Sequence, residues 1–237
     1  LHRVDRRQRQ MCIRDSISTE HEAMTHKKLI VMDYGGHARS VADVAFSSGY
    51  DDFVFFDKNA KPGERFLNYP VIPSMEGFFE LGCDAISAAG DNLRRAKQCQ
   101  MILEAGLNLV NVISPHASIG LGASIGMGCF VGHHAHIGPM ASIEDGVIVN
   151  TGAIVEHESS VGAYAHVSVN SSIAGRSSLG KYSLLGIGAS VIDGISVTDY
   201  VSIGAGAVVH RSILESGIYV GIPAKRIKSL VEKGQSD

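Results

Sequence analysis

The sequence is poor in aromatic side chains, which make up 6% of its 237 residues, and it has no tryptophan. Its core must therefore be filled mainly by small aliphatic side chains. It also lacks an excess of basic charge, since 21 Lys and Arg residues stand against 24 Asp and Glu, for a net charge of −3. This balance argues against nucleic acid or an anionic membrane surface as the main partner.

Long hydrophobic runs and cysteine motifs are missing as well. No apolar run reaches the roughly 18 residues that a membrane span needs, so we expect no transmembrane segment. The four cysteines, Cys12, Cys83, Cys99 and Cys129, are widely spaced. They match no zinc or disulfide pattern, which predicts reduced thiols and a cytoplasmic protein.

The first 23 residues look unlike the rest of the chain, because they contain five Arg and no apolar periodicity. A secretory signal needs an apolar stretch after its basic end, and none follows here. We therefore expect residues 1–23 to be a disordered or non-native tail, with the fold beginning at Met24.

Strands and helices are predicted to alternate through residues 24–110. The predicted strands are 29–32, 53–56, 85–89 and 109–113. Apolar residues at helical spacing predict two helices, one over Ala38, Val41, Ala42, Ala45 and Phe46, the other over Leu93, Ala96, Cys99, Ile102 and Leu103. Gly49 and Gly106 should end these helices, and Asp91 should cap the second. Such alternation predicts a parallel sheet in a Rossmann-like domain.

Three loops of this domain follow strands at the carboxyl edge of the sheet, where ligands bind. They contain Gly35, Gly36 and His37, then Asp57 and Lys58, then Gly90. Glycines let a phosphate approach backbone N–H groups at a helix start, and a carboxylate at Asp57 suits ribose hydroxyls. The full dinucleotide fingerprint is absent because Asp33 and Ala38 break it. A mononucleotide or sugar nucleotide remains open, and so do simple turn roles for the glycines.

A six-residue repeat fills the second half of the chain. Its aliphatic positions are Ile119, Ile125, Val131, Ile137, Ile143, Val149, Val155, Val161, Val167, Ile173, Leu179, Leu185, Val191, Val197, Ile203 and Val209. A small side chain often lies two residues before each, and glycine often follows. A short strand with a tight corner has this period, and three such units close a triangular coil. The spacing predicts a parallel β-helix of five stacked coils over residues 111–210, followed by a C-terminal tail over 211–237.

This repeat resembles that of the hexapeptide left-handed β-helix acyltransferases, whose coils are an exception to right-handed crossover. Together with the Gly-Gly-His loop and the ending Gly-Ile-Pro-Ala-Lys-Arg at 221–226, it makes the chain from Met24 similar to the sialic acid O-acetyltransferase family of sugar O- and N-acetyltransferases. The resemblance implies acetyl-CoA as co-substrate, no metal, and a homotrimer in which CoA lies between neighbouring prisms.

The segment Glu156-His157-Glu158 is the candidate catalytic motif. Acyl transfer to an amine or hydroxyl needs a base, and histidine is the usual one. His157 follows core Val155 by two residues, at a predicted corner where its side chain should point outwards. By resemblance, His157 is the general base and Glu158 the carboxylate that increases its basicity. From the residues alone, a solvated histidine in a charged corner is the simpler interpretation.

The resemblance assigns further positions. His166 matches a residue that contacts acetyl-CoA near the thioester, and Ile187 and Ala205 match positions that line the CoA channel. The sugar-nucleotide site is matched by Gly35, Gly36, His37, Asp57, Lys58 and Gly90. Two departures stand out: Asp33 replaces the usual glycine, where it would repel a diphosphate, and Tyr34 replaces a small residue. Lys58 also stands where close relatives often carry a second acid.

We therefore predict an enzyme that transfers acetyl from acetyl-CoA to the amine of a nucleotide-linked amino sugar, for surface glycan synthesis. One alternative is an O-acetyltransferase acting on sialic acid or another sugar hydroxyl, and another is a non-catalytic trimer that binds sugar nucleotides. A zinc enzyme is a further alternative, because histidines cluster early in the repeat, at His116, His133, His134 and His136. The ligand spacing typical of such enzymes is missing.

Overall fold

The computed structural model describes residues 27–74 and 82–229, so the tail predicted over 1–23 lies outside the described residues. The first part of the fold is a sheet with two helices. Its strands are Lys28–Met32 (β1), Asp52–Phe56 (β2), Arg65–Phe66 (β3), Tyr69–Ile72 (β4), Asp84–Ser87 (β5) and Asn108–Leu109 (β6). The helices are Gly36–Ser47 (α1) and Asn92–Glu104 (α2).

The strands of this sheet lie in the order β3-β4-β2-β1-β5-β6. All neighbours are parallel except β3 and β4, which form an antiparallel pair that the sequence did not predict. The strand order changes direction between β1 and β5, and ligands of such sheets bind beyond the carboxyl ends of the strands at that point. The predicted Rossmann-like architecture is confirmed.

The helix ends follow the predicted signals. The Asp91 side chain accepts a hydrogen bond from the Arg94 backbone N at 2.8 Å and so caps α2. Gly49 and Gly106 follow the two helices with φ of 96° and 71°, a conformation that costs glycine little.

The predicted apolar faces of the helices are wrong in part. Leu93 and Leu103 of α2 are 55% and 51% exposed, and Phe46 of α1 is 63% exposed. Arg95 of α2 is instead buried, with 1% exposure. The reason is that this face of α2 meets backbone carbonyl groups of the second half, and these groups need hydrogen-bond donors.

The strand predicted over 109–113 is also wrong, because the chain leaves the sheet within it. β6 ends at Leu109, and the next strand, Val112–Ile113 (β7), already belongs to the β-helix. Asn111 lies between them. Its side chain donates to the Gly126 carbonyl at 2.7 Å and accepts from the Cys129 N at 2.9 Å, so it pairs with the β-helix instead of the sheet.

Short strands make up the β-helix. After β7 they are Ser118–Ile119 (β8), Ser124–Ile125 (β9), Phe130–Val131 (β10), His136–Ile137 (β11), Ser142–Ile143 (β12), Ile148–Val149 (β13), Ile154–Val155 (β14), Ser160–Val161 (β15), His166–Val167 (β16), Ser172–Ile173 (β17), Ser178–Leu179 (β18), Leu184–Leu185 (β19), Ser190–Val191 (β20), Ser196–Val197 (β21), Val201–Ile203 (β22) and Val208–Val209 (β23). Gly217–Val220 (β24) and Lys225–Lys228 (β25) follow, within the segment predicted as a tail.

Every third strand pairs in parallel with its counterpart in the next coil, so the β-helix has three faces. The first face holds β7, β10, β13, β16, β19, β22 and β24, the second β8, β11, β14, β17, β20 and β23, and the third β9, β12, β15, β18 and β21. This gives five complete coils and the start of a sixth. We call the corners after the first, second and third faces corner 1, corner 2 and corner 3.

The repeated aliphatic side chains fill the axis of the prism. The fourteen positions from Val131 to Val209 are at most 2% exposed, as the period predicts. Ile119 is the exception, with 43% exposure, and Ile125 is half-buried. Both lie in the first coil, which has a neighbouring coil on one side only.

The corner backbone repeats as regularly as the core. A residue with positive φ recurs every six residues from 122 to 206. Seven of these positions are glycine, and the others are His134, Met140, Glu158, Tyr164, Asn170, Arg176, Tyr182 and Tyr200. A side chain in this conformation costs roughly 1–2 kcal/mol, so stacking between coils must offset that cost at eight corners.

The first half packs on the first face of the β-helix. The outward side chains Val112, Phe130 and Ile148 of that face are at most 1% exposed and belong to the same hydrophobic cluster as α1. The third face is different, because its outward residues are all serines: Ser124, Ser142, Ser160, Ser178 and Ser196. The N-terminal half therefore covers an apolar face and leaves a polar one to water.

Candidate active site

His157 and Glu158 form a pair on corner 2. Nδ1 of His157 lies 3.4 Å from Oε2 of Glu158, and both side chains are about half exposed. Adjacent residues of an extended strand point to opposite sides. Glu158 has φ of 57°, which brings its side chain back beside its neighbour. With the ring hydrogen on Nδ1, Nε2 keeps its lone pair facing away from the carboxylate.

The imidazole of His157 lies over a glycine of the next coil. A Cβ atom on Gly175 would come within 2.5 Å of Cε1 and Nε2 of His157, and within 3.1 Å of Oδ1 of Asp193. Arg176 holds this aspartate through Nη2 and Oδ2, 2.6 Å apart. Gly175 thus provides the space in which the ring lies, and Asp193 borders that space.

Glu156 has a separate role from Glu158. Its Oε2 accepts from the backbone N of His157 at 3.1 Å, and its Oε1 lies 4.0 Å from Nε2 of His136. Glu156 therefore supports the corner backbone, whereas Glu158 contacts the ring.

Gly35, Gly36 and Gly90 surround open space at the carboxyl edge of the sheet. A Cβ atom on any of the three would meet nothing within 4 Å, so packing does not require glycine there. Gly35 is the N-cap of α1 and offers no side-chain cap, which leaves the first N–H groups of the helix open to an acceptor. This arrangement suits a phosphate.

His37 lies where this open space meets the β-helix. Its ring makes an edge contact with Phe130, with centroids 4.9 Å apart, and its Nε2 is buried with no hydrogen-bond partner among the described residues. Burial, followed by the nearby charge of Arg95, lowers the pKa of His37 to about 4. The ring is thus neutral at physiological pH.

His166 lies beside His37, with ring centroids 6.2 Å apart. Its Nε2 is 3.2 Å from Nδ2 of Asn150, and the backbone of Gly90 is close enough to the ring to favour its charged form slightly. Burial, then the charges of Arg95 and His37, lowers the pKa of His166 to about 3. The structure thus brings together His37, His166 and Gly90, which the sequence had assigned to two different ligands.

Asp33 is less isolated than the sequence suggested. Its Oδ1 lies 3.1 Å from Nη2 of Arg94, so a cation offsets its charge. Burial raises the pKa of Asp33 despite this pairing, and the neighbouring carboxylate of Asp57 contributes to the rise. Asp57 accepts from the backbone N of Asn59 at 2.9 Å, and Lys58 beside it is exposed.

Ile187 and Ala205 lie on corner 1, one coil apart, where the Gly206 backbone N donates to the Ile187 carbonyl at 2.8 Å. Both are exposed, Ile187 by 60%. In a single chain they share this corner with Asn150 and not with His157, which lies on corner 2. The predicted CoA residues and the predicted base are therefore on different edges of one prism.

The buried cysteines are poor nucleophiles. Burial raises the pKa of the Cys99 thiol to about 11 and that of Cys129 to about 12. The Ser159 hydroxyl donates to the Ala174 carbonyl at 2.9 Å. Among residues 27–74 and 82–229, Glu158 is the one side chain that hydrogen-bonds the His157 ring.

The early histidines come close together without forming a metal site. The rings of His116, His133 and His134 lie with centroids 5.7 to 6.4 Å apart. His133 bonds the Ser114 hydroxyl at 2.7 Å and Asp43 at 3.2 Å. Over the described part of the chain, no group of three or more His, Cys, Asp or Glu could hold a metal ion. No helix there is long and apolar enough to span a membrane.

Sequence reasoning missed four residues of this region: Asn150, Gly175, Arg94 and Arg95. Two of them could have been found from the sequence. Asn150 stands where the repeat often has glycine, and Gly175 lies 18 residues, or one coil, after His157. Arg94 and Arg95 carried no such signal, because Asp33 and the β-helix carbonyls that these two side chains bond are far away in the sequence.

Comparison with known proteins adds to this geometry. Residues 28–102 match the PglD N-terminal domain. The acetyltransferase domain of PglB from Neisseria gonorrhoeae is 32% identical, with a TM-score of 0.80 over 85% of this chain and 100% of that one, and it has also been solved with acetyl coenzyme A. PerB from Caulobacter crescentus, solved with CoA and GDP-perosamine, is 31% identical, with a TM-score of 0.76 over 84% and 97%. WeeI from Acinetobacter baumannii, at 18% identity and a TM-score of 0.54, shares the fold.

Proposed function

Because the chain belongs to the hexapeptide-repeat, left-handed β-helix sugar acetyltransferases whose first half is a PglD N-terminal domain, we propose that it transfers acetyl from acetyl-CoA to the amine of a nucleotide-linked amino sugar. The observation that carries this proposal is the pairing of His157 Nδ1 with Glu158, which leaves Nε2 free as a base. The nucleotide is proposed to bind at Gly35, Gly36, His37, Asp57, Lys58 and Gly90. The product would serve surface glycan synthesis.

His157 is the general base of the proposed reaction. The amine nitrogen of the sugar forms a bond to the acetyl carbonyl carbon, and Nε2 of His157 takes a proton from that nitrogen. The carbon–sulfur bond then breaks, and the imidazolium returns the proton to sulfur, so CoA leaves as a thiol. Glu158 orients the ring and stabilises its charged form. Transfer is direct, because the buried thiols are held protonated and, among the described residues, no serine or cysteine hydrogen-bonds the His157 ring.

The active enzyme is proposed to be a homotrimer with sites shared between chains. In one chain, His157 lies on corner 2, opposite the first face, which carries His166 and the N-terminal half. Ile187 and Ala205 lie on corner 1. A second prism, packed with its corner 2 against this pocket, would bring a base to the two substrates. Closed rotational symmetry then gives three equal sites.

The cytoplasm is the proposed location. Acetyl-CoA is available there, and the free thiols at Cys83, Cys99 and Cys129 suit a reducing compartment.

The first experiment measures thiol release from acetyl-CoA with a panel of amino sugars linked to GDP, UDP or dTDP. His157→Ala should lower kcat by about 10²–10⁴-fold. His116→Ala is the matched control, because His116 is also an exposed corner histidine and should keep full activity. If the enzyme acetylates free sialic acid and none of the amino sugars, the acceptor group is a hydroxyl and not an amine. Unchanged turnover in His157→Ala would show that His157 is not the general base.

Mixing two inactive variants tests the shared site. Gly36→Trp fills the open space at the nucleotide loop, and His157→Ala removes the base. In co-expressed random trimers, about a quarter of the sites would combine an intact pocket with an intact base if these come from different chains. Recovery of activity near that level supports the proposal. No recovery, or full activity in a monomer, contradicts it.

A further inference from the structure

Arg95 is the largest fully buried side chain among the described residues, with 1% exposure. It lies in the first turns of α2, where the sequence predicted an apolar face. Its hydrogen bonds to described residues all end on carbonyl or amide oxygens, and none ends on a carboxylate. Burying a guanidinium costs free energy unless most of its N–H groups are hydrogen-bonded. The side chain of Arg95 is therefore held in place by several acceptors at once.

These acceptors belong to both halves of the protein. Nε donates to the Gly146 carbonyl and Nη2 to the Tyr164 carbonyl, each at 2.6 Å, and these two residues are equivalent positions on corner 3 of successive coils. Nη1 donates to the carbonyls of Ala89 and Gly90 at 3.0 and 3.3 Å. One rigid, planar group thus ties the loop after β5 to two coils of the β-helix.

The same loop also holds His166. The Gly90 carbonyl accepts from Nη1 of Arg95 at 3.3 Å, and the Gly90 backbone is close enough to the His166 ring to favour its charged form slightly. On its other side, His166 Nε2 meets Nδ2 of Asn150, whose Oδ1 is fixed by the Thr151 N at 2.8 Å. The Gly90 carbonyl is therefore the point where the nucleotide loop, the buried cation and the proposed acetyl-CoA residue meet.

We propose that Arg95 is a positioning residue that couples the two substrate sites, so that a nucleotide sugar on the Gly90 loop raises the affinity for acetyl-CoA beside His166, and the reverse. This inference rests on the proposed function and adds cooperation between its two substrates. A ligand that orders the Gly90 loop also orders the segment from Tyr164 to His166, because Arg95 bonds both. The second ligand then meets a site that is already ordered, and linkage makes the effect reciprocal.

The charge of Arg95 is consistent with this role. Burial lowers its pKa to about 10, so it stays charged at neutral pH. After burial itself, this charge is the next cause of the lowered pKa values of His37 and His166. The charge of Arg95 therefore adds to burial in keeping the His37 and His166 rings neutral where the two halves meet.

The test is calorimetric titration of the full-length protein with CoA, with and without the nucleoside diphosphate, GDP or UDP, that inhibits turnover. In wild type we expect the diphosphate to tighten CoA binding by about 5–50-fold. Arg95→Lys keeps the charge but lacks the planar guanidinium group with its several N–H donors. The tightening of CoA binding by the diphosphate should therefore fall to about 1-fold, and KM should rise by a larger factor than kcat falls. Gln98→Met is the matched control. Gln98 is buried on the same helix, but its 2.6 Å hydrogen bond to Ser87 stays within the first half, so coupling should persist.

A wild-type protein that binds CoA and turns over without any coupling would overturn the inference and leave the proposed function intact. Full coupling in Arg95→Lys would overturn it too. A wild-type protein that neither binds CoA nor turns over would remove the proposed function itself. If Arg95→Lys does not fold, Asn92→Ala replaces it, because Asn92 accepts from Arg95 at 2.8 Å and donates to the Tyr182 carbonyl at 2.9 Å. Coupling should then fall at least threefold, and an unchanged factor would count against the inference.

Discussion

The imidazole rings of His37 and His166 lie with their centroids 6.2 Å apart, although one is in the first helix and the other is on the first face of the β-helix. The start of the first helix and the coils of the prism thus meet at these two rings. Both rings are held neutral, because burial lowers their pKa values to about 4 and about 3.

These lowered pKa values predict that the fold is sensitive to acid. In the unfolded chain a histidine takes up a proton near pH 6.5, whereas His37 and His166 in the fold do not until pH is near 4 and 3. Stability is therefore fully present above pH 6.5 and is lost as pH falls below it. Between pH 6.5 and 5, each histidine should cost about 2 kcal/mol. Thermal melting from pH 7.5 to 5 measures this loss.

The matched variants separate these histidines from general acid effects. The melting temperature of His166→Gln should fall less steeply than that of wild type as pH drops below 6.5, since one titrating group is gone. The exposed His116 is the control, and His116→Ala should keep the wild-type dependence. Equal slopes in all three proteins would contradict the prediction.

Gly175 offers a test of the base that leaves both catalytic residues in place. A Cβ atom there would lie 2.5 Å from Nε2 of His157, so Gly175→Ala should displace the ring. We expect kcat to fall at least tenfold, because small misplacements of reacting groups are costly, while the melting temperature changes by only a few degrees.

A double-mutant cycle provides the control for this effect. In the His157→Ala background the ring is absent, so Gly175→Ala should have no further effect on kcat. Additive losses would show that Gly175 acts by another route than the position of His157.

Asp33 is predicted to weaken nucleotide binding. It lies at the nucleotide loop with φ of 107°, is 9% exposed and pairs with Arg94. Asp33→Asn removes the charge, and Asp33→Gly removes both the charge and the backbone strain. Both should lower KM for the nucleotide sugar, because less negative charge then faces the diphosphate.

Stability separates the two variants. Asp33→Gly should raise the free energy of unfolding by about 1 kcal/mol more than Asp33→Asn, since glycine adopts positive φ without strain. A rise in KM in both variants would instead identify Asp33 as a ligand of the nucleotide.

Two neighbouring glycines of corner 1 should differ in their tolerance of alanine. A Cβ atom on Gly186 would lie 2.6 Å from the Ile203 carbonyl oxygen, which is backbone that cannot move aside. Gly188 has φ of 64° and open space around it. Gly188→Ala should cost about 1–2 kcal/mol of stability from backbone strain alone. Gly186→Ala should cost more, and the reverse order of melting temperatures would contradict this account.

The β-helix was predictable because its signal is local. Each core position repeats the same strand and corner, so a period of six gives burial from Val131 to Val209 without knowledge of the rest of the fold. The period could not show that Ile119 is exposed, because exposure there depends on where the stack ends. Likewise, α2 reads as an ordinary amphipathic helix, but it buries Arg95 because the surface that it meets is backbone carbonyl.

The contacts of the candidate site were predictable only where their residues are neighbours in the chain or lie one coil apart in the repeat. His157 and Glu158 are adjacent, and corner geometry brings them together as expected. The contact of Asp33 with Arg94 joins residues that are distant in the sequence, and their spacing carries no information on how the loop and the helix pack. Gly175 beneath His157 is different, because a separation of 18 residues is one coil of the repeat.

The apolar first face of the prism has a consequence for redesign. Val112, Phe130 and Ile148 lie at most 1% exposed beneath the first half, although all three belong to the second. A chimera that takes its nucleotide-recognition half from a relative therefore has to take these outward positions with it. If it does not, the grafted half will meet a foreign surface, and the engineered protein will aggregate before its substrate preference can be measured.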